Sequence, residues 1–187
     1  MLNDMDIRTT MVHGRHLVEP YDPLMVQPNS VDMRLAGEVS VMEKAGFMGE
    51  PIIDLARRRT YGLNWRTIGK GEDIIIPSHG FALASTIETV CLPADLSAHV
   101  EGKSSLARLG LMVHVTAGFI DAGFHGRITL ELANLTPAEM RLTVGMPVCQ
   151  LAFHRLSGTA ENPYGSDGLG SHYQNQTGTT MARVEKR

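Results

Sequence analysis

Turn-forming residues recur about every ten positions between residues 15 and 156, and this spacing constrains the fold more than any other feature. The turns fall at residues 20–23, 27–30, 77–80, 93–95 and 144–147. Strand-like runs rich in Ile, Leu, Phe and Ala lie between them, among them residues 73–76, 81–86 and 150–153. Short strands at regular spacing are typical of β-sandwiches and barrels. We therefore predict a mainly β domain, a distorted jelly roll or β-barrel.

The two ends of the chain differ from this pattern. Residues 3–14 predict one short helix, because Asn3 can cap it and Ile7 and Met11 share a face. Residues 157–187 begin with a long stretch rich in Gly, Ser, Asn and Gln that has little to bury. Such a composition favours a flexible C-terminal tail or lid. At 187 residues, we expect one domain spanning 1–187.

Composition argues against several classes of protein. The net charge of −3 provides no basic field for nucleic acid. Cys91 and Cys149 lie too far apart in sequence to indicate a disulfide framework or a Cys-rich zinc site. The first residues carry acids and lack the apolar core of a secretory signal, and no apolar run is long enough for a membrane span. We expect a cytoplasmic protein with neither nucleic-acid nor membrane partners.

Residues 127–133, RITLELA, alternate as a strand with one buried face. Ile128, Leu130 and Leu132 would point inward, which puts Thr129 and Glu131 on the other face. The pattern alone favours a Glu131 carboxylate that simply faces solvent. The alternative is a cleft in which Glu131 transfers protons.

Two further segments carry polar groups suited to a nucleotide. Residues 102–110, GKSSLARLG, hold a lysine, two hydroxyls and an arginine between glycines, a chemistry that suits phosphates. Their spacing is not that of a Walker P-loop, and a serine-capped turn with solvated charges explains them equally well. Asp121 precedes a turn, where it could bind a sugar hydroxyl or form an Asx turn ahead of Gly123. We expect His114 to be a hydrogen-bonded, partly buried histidine.

The sequence argues against a protein zinc site. His99-Val100-Glu101 matches one half of the zinc-deaminase signature, but the P-C-x-x-C half is missing. The other histidines are scattered without the spacing of metal ligands.

Five segments in order resemble the dCTP deaminase family of the dUTPase superfamily. The core of the resemblance is residues 102–134, GKSSLARLGLMVHVTAGFIDAGFHGRITLELAN. The others are QPNSVDMRL at 27–35, FALASTIETVCLP at 81–93, GMPVCQLAF at 145–153 and PYGSDGLGSHYQNQTG at 163–178. Together they cover most of the chain.

The resemblance implies a dUTPase-type jelly roll that assembles as a homotrimer, with active sites at the subunit interfaces. It implies deamination of dCTP without a protein-bound metal, since Mg²⁺ is carried by the triphosphate. The C-terminal tail, residues 157–187, would close over the nucleotide, and dTTP is a candidate inhibitor.

The resemblance also implies roles for individual residues. Glu131 corresponds to the catalytic glutamate, which acts as general base and then general acid, and Ser104 and Arg108 to its essential polar partners. The implied nucleotide-binding residues are Lys103, Ser104, Ser105, Leu106, Ala107, Arg108, Asp121, Thr129, Leu130, Glu131, Gln150, Tyr164, His172 and Gln176. His172 stands where the family usually carries a lysine that contacts phosphate.

Gly118 and Phe119 distinguish two branches of the family. The branch that stops at dUTP typically carries His-Arg at these positions, whereas the branch that continues to dUMP and diphosphate carries Gly-Phe or Gly-Trp. The pair in this chain therefore resembles the dUMP-forming branch. The alternatives are a monofunctional deaminase that releases dUTP, a plain dUTPase, and a non-enzymatic trimeric nucleotide-binding protein.

Overall fold

A computed structural model describes residues 1–46, 49–69 and 71–183. Its first element is α1 (Asp4–Val12), which begins where the sequence predicts. The Asn3 side chain accepts a hydrogen bond from the Asp6 backbone N–H at 2.8 Å, so one of the unpaired donors of the first turn is satisfied. Ile7 and Met11 are buried and attach the helix to the core.

Short strands make up most of the regular secondary structure in the remaining chain. They are β1 (Val18–Glu19), β2 (Val26–Gln27), β3 (Ser30–Arg34), β4 (Val39–Lys44), β5 (Ile52–Asp54), β6 (Arg59–Tyr61), β7 (Leu63–Ile68), β8 (Ile74–Ile76), β9 (Phe81–Cys91), β10 (Leu96–Gly102), β11 (Leu111–Met112), β12 (Phe119–Ile120), β13 (His125–Asn134), β14 (Met140–Leu142) and β15 (Pro147–Arg155). A 3₁₀ turn spans Pro23–Met25, and α2 spans Ser104–Ala107. No helix in the described ranges has the length and apolarity needed to cross a bilayer.

The strands form two antiparallel sheets. The first has the order β11-β13-β9-β4-β7, with β1 paired to β9, and the second has the order β12-β10-β15-β3-β2. The pairs β8–β14 and β5–β6 stand apart from both sheets. The mainly β prediction is thus confirmed, as two distorted open sheets; the described residues form no closed barrel.

The core lies between the sheets and follows from the alternation of each strand. Leu130 and Leu132 of β13 face Leu151 and Phe153 of β15 within one cluster of fully buried side chains. Alternate residues of β13 are half-buried on the opposite face, as predicted for residues 127–133. Removing this apolar surface from water supplies the main driving force for folding.

A bulge interrupts the ladder between β9 and β13, where residues 86–88 of β9 lie opposite Ile128. The Ile128 N–H donates to Thr86 Oγ1 at 3.1 Å, and the same hydroxyl donates to the Glu88 carbonyl at 2.7 Å. The buried Glu88 carboxylate accepts from Arg34 twice, from Nε at 2.6 Å and from the backbone N–H at 2.9 Å. The polar groups exposed by the bulge are thereby paired.

The Arg34–Glu88 pair predicts a stability difference between two otherwise similar substitutions. Arg34→Met would leave the buried Glu88 carboxylate uncompensated, and should lower the free energy of unfolding by about 3 kcal/mol. Arg66→Met is the matched control, since it breaks an ion pair with Glu43 whose side chains are 48% and 38% exposed. Its cost should stay below about 0.5 kcal/mol. Urea unfolding at one protein concentration measures both; equal losses would contradict this role for the buried pair.

Candidate active site

A cavity of about 780 Å³ lies against the first sheet and extends to β12 at the edge of the second sheet. Its lining includes six residues that the sequence analysis singled out, namely Phe119, Asp121, Thr129, Glu131, Tyr164 and Gln176. They come from β12, the turn after it, β13 and the C-terminal tail. Segments distant in sequence are thus brought to one place, with a volume in the usual range of small-molecule sites.

Glu131 lies in the wall of this cavity. Its neighbours Leu130 and Leu132 point into the core, so the alternation of β13 directs Glu131 outward, where it is half-buried. The carboxylate Oε2 accepts a hydrogen bond from the Val115 N–H at 2.8 Å, and the Glu131 N–H donates to the Val113 carbonyl at 3.1 Å. The side chain therefore occupies a cleft with a fixed orientation, unlike a glutamate on an open strand face.

One wall of the cavity is apolar, and the sequence analysis did not find it. Met42, Trp65, Phe81 and Leu83 project from β4, β7 and β9 on the same face as Glu131. The Trp65 and Phe81 rings meet edge to face with centroids 6.0 Å apart. One signal was available, because the only tryptophan of the chain sits in a strand-like run between polar residues.

The hairpin of β5 and β6 covers part of the cavity and was also not anticipated. It contributes apolar Ile53 and Leu55 and the two cations Arg58 and Arg59. Arg58 Nη1 donates to the carbonyl of Arg183 at 3.3 Å, which joins the hairpin to the tail. The signal in the sequence is a run of three arginines at 57–59.

Asp121 begins a tight turn at the other end of the cavity. The turn is closed by the backbone, since the Phe124 N–H donates to the Asp121 carbonyl at 3.2 Å. Within the described ranges the Asp121 carboxylate has no hydrogen-bond or ion-pair partner, so the Asx-turn alternative is not observed. This exposed carboxylate is available to a ligand.

Gly118 and Phe119 are held by β10. The Val100 N–H donates to the Gly118 carbonyl at 2.7 Å. A Cβ on Gly118 would lie 3.0 Å from the Val100 carbonyl oxygen and 3.0 Å from His114 Cε1, so little beyond glycine fits. His114 is partly buried as expected, but its buried Nδ1 has no hydrogen-bond partner among the described residues.

The described part of the tail follows the edge of the cavity. The Gln176 carbonyl accepts from the Arg127 N–H at 2.9 Å, and Gln176 Nε2 donates to the Arg127 carbonyl at 2.6 Å. Thr180 N–H donates to Thr129 Oγ1 at 3.2 Å, so the tail crosses the polar face of β13. These contacts locate the tail beside Glu131; its movement as a lid stays a prediction.

Tyr164 anchors the start of the tail. Its N–H donates to the Ala122 carbonyl at 2.7 Å, and its hydroxyl accepts from the Tyr173 N–H at 2.9 Å. The ring packs near Phe124, with centroids 5.7 Å apart. Gly123 makes this approach possible, because a Cβ there would lie 2.6 Å from Pro163 Cβ.

Other predicted site residues do not line this cavity in the described part of the chain. They are Lys103, Ser104, Ser105, Leu106, Ala107, Arg108, Gly118, Leu130, Gln150 and His172. Leu130 is fully buried because it belongs to the inward face of β13, so its side chain cannot contact a nucleotide and only its backbone could. Ser104 and Arg108 are exposed at the two ends of α2.

Lys103 and Gln150 instead belong to a second polar cluster, on the second sheet. Lys103 Nζ lies 2.6 Å from Asp32 Oδ1, and Gln150 is the register partner of Asp32. Ser30 Oγ donates to Gln150 Oε1 at 3.3 Å. The structure therefore divides the predicted site of one chain into a carboxylate-lined cavity and a separate cationic loop.

The thiols are not candidates for catalysis. Burial raises the pKa of Cys149, and the neighbouring Glu88 and Asp32 carboxylates raise it further. Burial also raises the pKa of Cys91, with a smaller contribution from Glu19. Both remain protonated thiols at neutral pH, which are poor nucleophiles. Within the described ranges, no three His, Cys, Asp or Glu side chains are grouped to hold a metal ion.

The contact between Gly123 and the tail predicts the effect of a methyl group. Gly123→Ala adds a clash with Pro163 to the strain of a positive φ of 88°, and should displace the tail. Gly145→Ala is the matched control, since φ is 84° but nothing lies within 4 Å of the new Cβ. Limited proteolysis of the chain after residue 157 should be ~10-fold faster in Gly123→Ala than in the intact protein, and unchanged in Gly145→Ala. Equal cleavage of both variants would show that this contact does not hold the tail.

Comparison with known proteins agrees with the resemblance in the sequence. Residues 1–156 match the family model described as dCTP deaminase-like. A protein of Thermobifida fusca (strain YX) named "dCTP deaminase, dUMP-forming" is 46% identical over 184 residues, which covers 98% of this chain and 92% of that protein. A Streptomyces avermitilis protein of the same name is 47% identical over 184 residues, with 98% and 94% covered.

A solved structure shows the same fold. The 2'-deoxycytidine 5'-triphosphate deaminase from Agrobacterium tumefaciens superposes with a TM-score of 0.61 at 24% sequence identity. The superposition covers 83% of this chain and 48% of that one, so this chain spans about half its length. The jelly-roll fold predicted from the sequence is confirmed. The family match over residues 1–156 and the near full-length identity to these relatives show that the chain belongs to the dCTP deaminase-like family.

Proposed function

We propose that the protein deaminates dCTP at cytosine C4 and then cleaves the resulting dUTP to dUMP and diphosphate. The observation that carries the proposal is the Glu131 carboxylate, held in the wall of a cavity that Asp121, Tyr164 and Gln176 also line. The names of the relatives from Thermobifida and Streptomyces support both steps.

In the first step, dCTP and water give dUTP and ammonia. Glu131 takes a proton from a water that adds to C4 and delivers it to N3. It then takes the proton of the new C4 hydroxyl and passes it to the amino nitrogen, so that the bond from C4 to that nitrogen breaks, the C4 carbonyl forms and ammonia leaves. The Val115 N–H occupies Oε2 of Glu131 at 2.8 Å, which fixes the carboxylate and leaves Oε1 for the water. Gln176 Oε1 is buried without a partner among the described residues, so it can accept a hydrogen bond from the nucleotide.

In the second step, a water attacks the α-phosphorus of dUTP. The bond from that phosphorus to the bridging oxygen breaks, and diphosphate leaves. Mg²⁺ carried by the triphosphate would neutralise charge that develops on the phosphate oxygens. Asp121 and Phe119 both line the cavity, and they would position this water.

The charges of the cavity also bear on the assembly. Glu131 and Asp121 are carboxylates, and a triphosphate placed beside them needs cations nearby. Arg58 and Arg59 of the hairpin line the cavity, but Lys103 and Arg108, which the resemblance assigns to the nucleotide, lie outside the cavity of their own chain. We therefore propose a homotrimer in which residues 103–108 of one subunit, with Ser104 and Arg108 as catalytic partners, complete the cavity of the next. Lys103 would then exchange its contact with Asp32 for phosphate.

The remaining assignments belong to the same proposal. The tail from residue 157 would act as a lid that orders over the nucleotide. Gln150 and His172 would contact the nucleotide from the neighbouring polar surfaces. A bound dTTP would compete for the same cavity. The cytoplasm, where deoxynucleotides are made, is the proposed location.

Product analysis tests the proposed activity. Purified protein incubated with dCTP and Mg²⁺ should release ammonia, diphosphate and dUMP in step, as followed by chromatography. Glu131→Gln keeps the size of the side chain but removes the base, so ammonia release should fall by about 10²–10⁴-fold while dCTP still binds.

Each other outcome identifies an alternative. Stoichiometric dUTP without diphosphate would identify a monofunctional deaminase. Hydrolysis of dUTP without ammonia from dCTP would identify a plain dUTPase. Nucleotide binding without turnover would identify a non-enzymatic protein, and near-normal ammonia release by Glu131→Gln would refute the role of this residue.

Mixing two inactive variants tests the shared site. Glu131→Gln and Arg108→Ala should each be nearly inactive as pure proteins. In randomly assembled mixed oligomers, about a quarter of the sites would combine an intact Glu131 with an intact Arg108 of the neighbour, and that share of activity should return. Co-purification through two different tags confirms that mixed oligomers have formed. Mixed oligomers without recovered activity would mean that both residues act within one chain.

A further inference from the structure

Three rings form a row across the outer face of the second sheet. Phe119 of β12 and His99 of β10 are register partners, and their rings meet edge to face with centroids 4.8 Å apart and planes at 89°. His99 and His154 of β15 follow, with centroids 5.5 Å apart. We call Phe119, His99 and His154 the ring row.

The ring row ends at the cavity. Phe119 lines the cavity together with Glu131, yet 56% of its surface is exposed. The backbone of Phe119 is fixed by its pairing with β10, so the freedom that remains is rotation of the side chain. Edge-to-face ring contacts favour one arrangement by roughly 2- to 10-fold, and His99 provides that contact here.

His154, at the outer end of the ring row, is uncharged at neutral pH. Burial, the N-terminal ammonium group and the neighbouring His99 all lower the pKa of His154. His154 therefore stays neutral at neutral pH, and His99 packs between two uncharged rings. Neither histidine forms an ion pair within the described part of the chain. A row without a fixed charge at its outer end can support Phe119 by packing alone.

We propose that His99 is a positioning residue that holds the Phe119 ring at the cavity. It thereby sets the ratio of diphosphate to ammonia that the protein releases from dCTP. This inference rests on the proposed function. A fixed ring leaves a defined space for the water that must lie in line with the α-phosphorus. Deamination depends instead on Glu131, whose carboxylate accepts a hydrogen bond from the Val115 N–H in the loop after β11 and not from the ring row. Loss of His99 should therefore affect the second step more than the first.

The test measures ammonia and diphosphate in one reaction with dCTP, for the intact protein and four variants. His99→Ala and His99→Gln both remove the ring, and should lower the ratio of diphosphate to ammonia by roughly 2- to 10-fold while dUTP accumulates. His99→Phe restores a ring at this position, and should return the ratio towards that of the intact protein. His13→Ala is the control, since His13 is exposed at the end of α1 and should leave the ratio unchanged.

The outcomes separate the inference from the proposed function. Intact protein that releases ammonia and diphosphate, with an unchanged ratio in both His99→Ala and His99→Gln, would overturn the role of His99 alone. A parallel fall of both products in those variants would also overturn it, because it would indicate a general structural role. Intact protein that releases no ammonia would refute the proposed function itself. Circular dichroism of each variant shows which of them are folded. If His99→Ala is unfolded, the test uses His99→Gln in its place.

Discussion

The register between β9 and β13 is the constraint on which the site depends. Because side chains alternate along a strand, a slip of one residue would carry Glu131 into the core and Leu130 into the cavity. The bulge at residues 86–88 opposes such a slip, since the Ile128 N–H of β13 donates to Thr86 Oγ1 within the bulge. Glu88 in turn joins this segment of β9 to Arg34 of β3. The same pairing that closes the core therefore determines which carboxylate faces the cavity.

The distribution of charge follows from this arrangement. Carboxylates line the cavity, at Glu131 of β13 and at Asp121 in the turn after β12, whereas the cations of residues 103–108 lie on a connection between the two sheets. Lys103 pairs with Asp32, and Glu131 accepts a hydrogen bond from the Val115 N–H. These two side chains therefore each have a partner within the chain, which offsets the cost of removing them from water.

Features encoded by local pattern could be predicted from the sequence. The helix cap at Asn3 and the alternation of residues 127–133 depend on neighbours a few positions away, and both are as predicted. The apolar wall with Trp65 and the arginine hairpin could not be predicted, because Trp65 depends on the pairing of β7 with β4 and the hairpin on its contact with Arg183 of the tail. The inward side chain of Leu130 follows the alternation predicted for its strand, so the nucleotide contact implied by the resemblance is left to its backbone.

The tail is attached through its backbone and its side chains together. The backbones of Asn175 and Gln176 bond to the main chain of His125 and Arg127, and Gln174 Oε1 and Gln176 Nε2 bond to the main chain of the same two residues. These partners in the body are backbone groups, which nearly all residues share. The body carries a restriction of its own at Gly123, where a Cβ would lie 2.6 Å from Pro163 Cβ. A side chain of the body strand can therefore change without loss of these contacts, whereas a change of Gln174 or Gln176 in the tail removes a hydrogen bond that the body cannot replace.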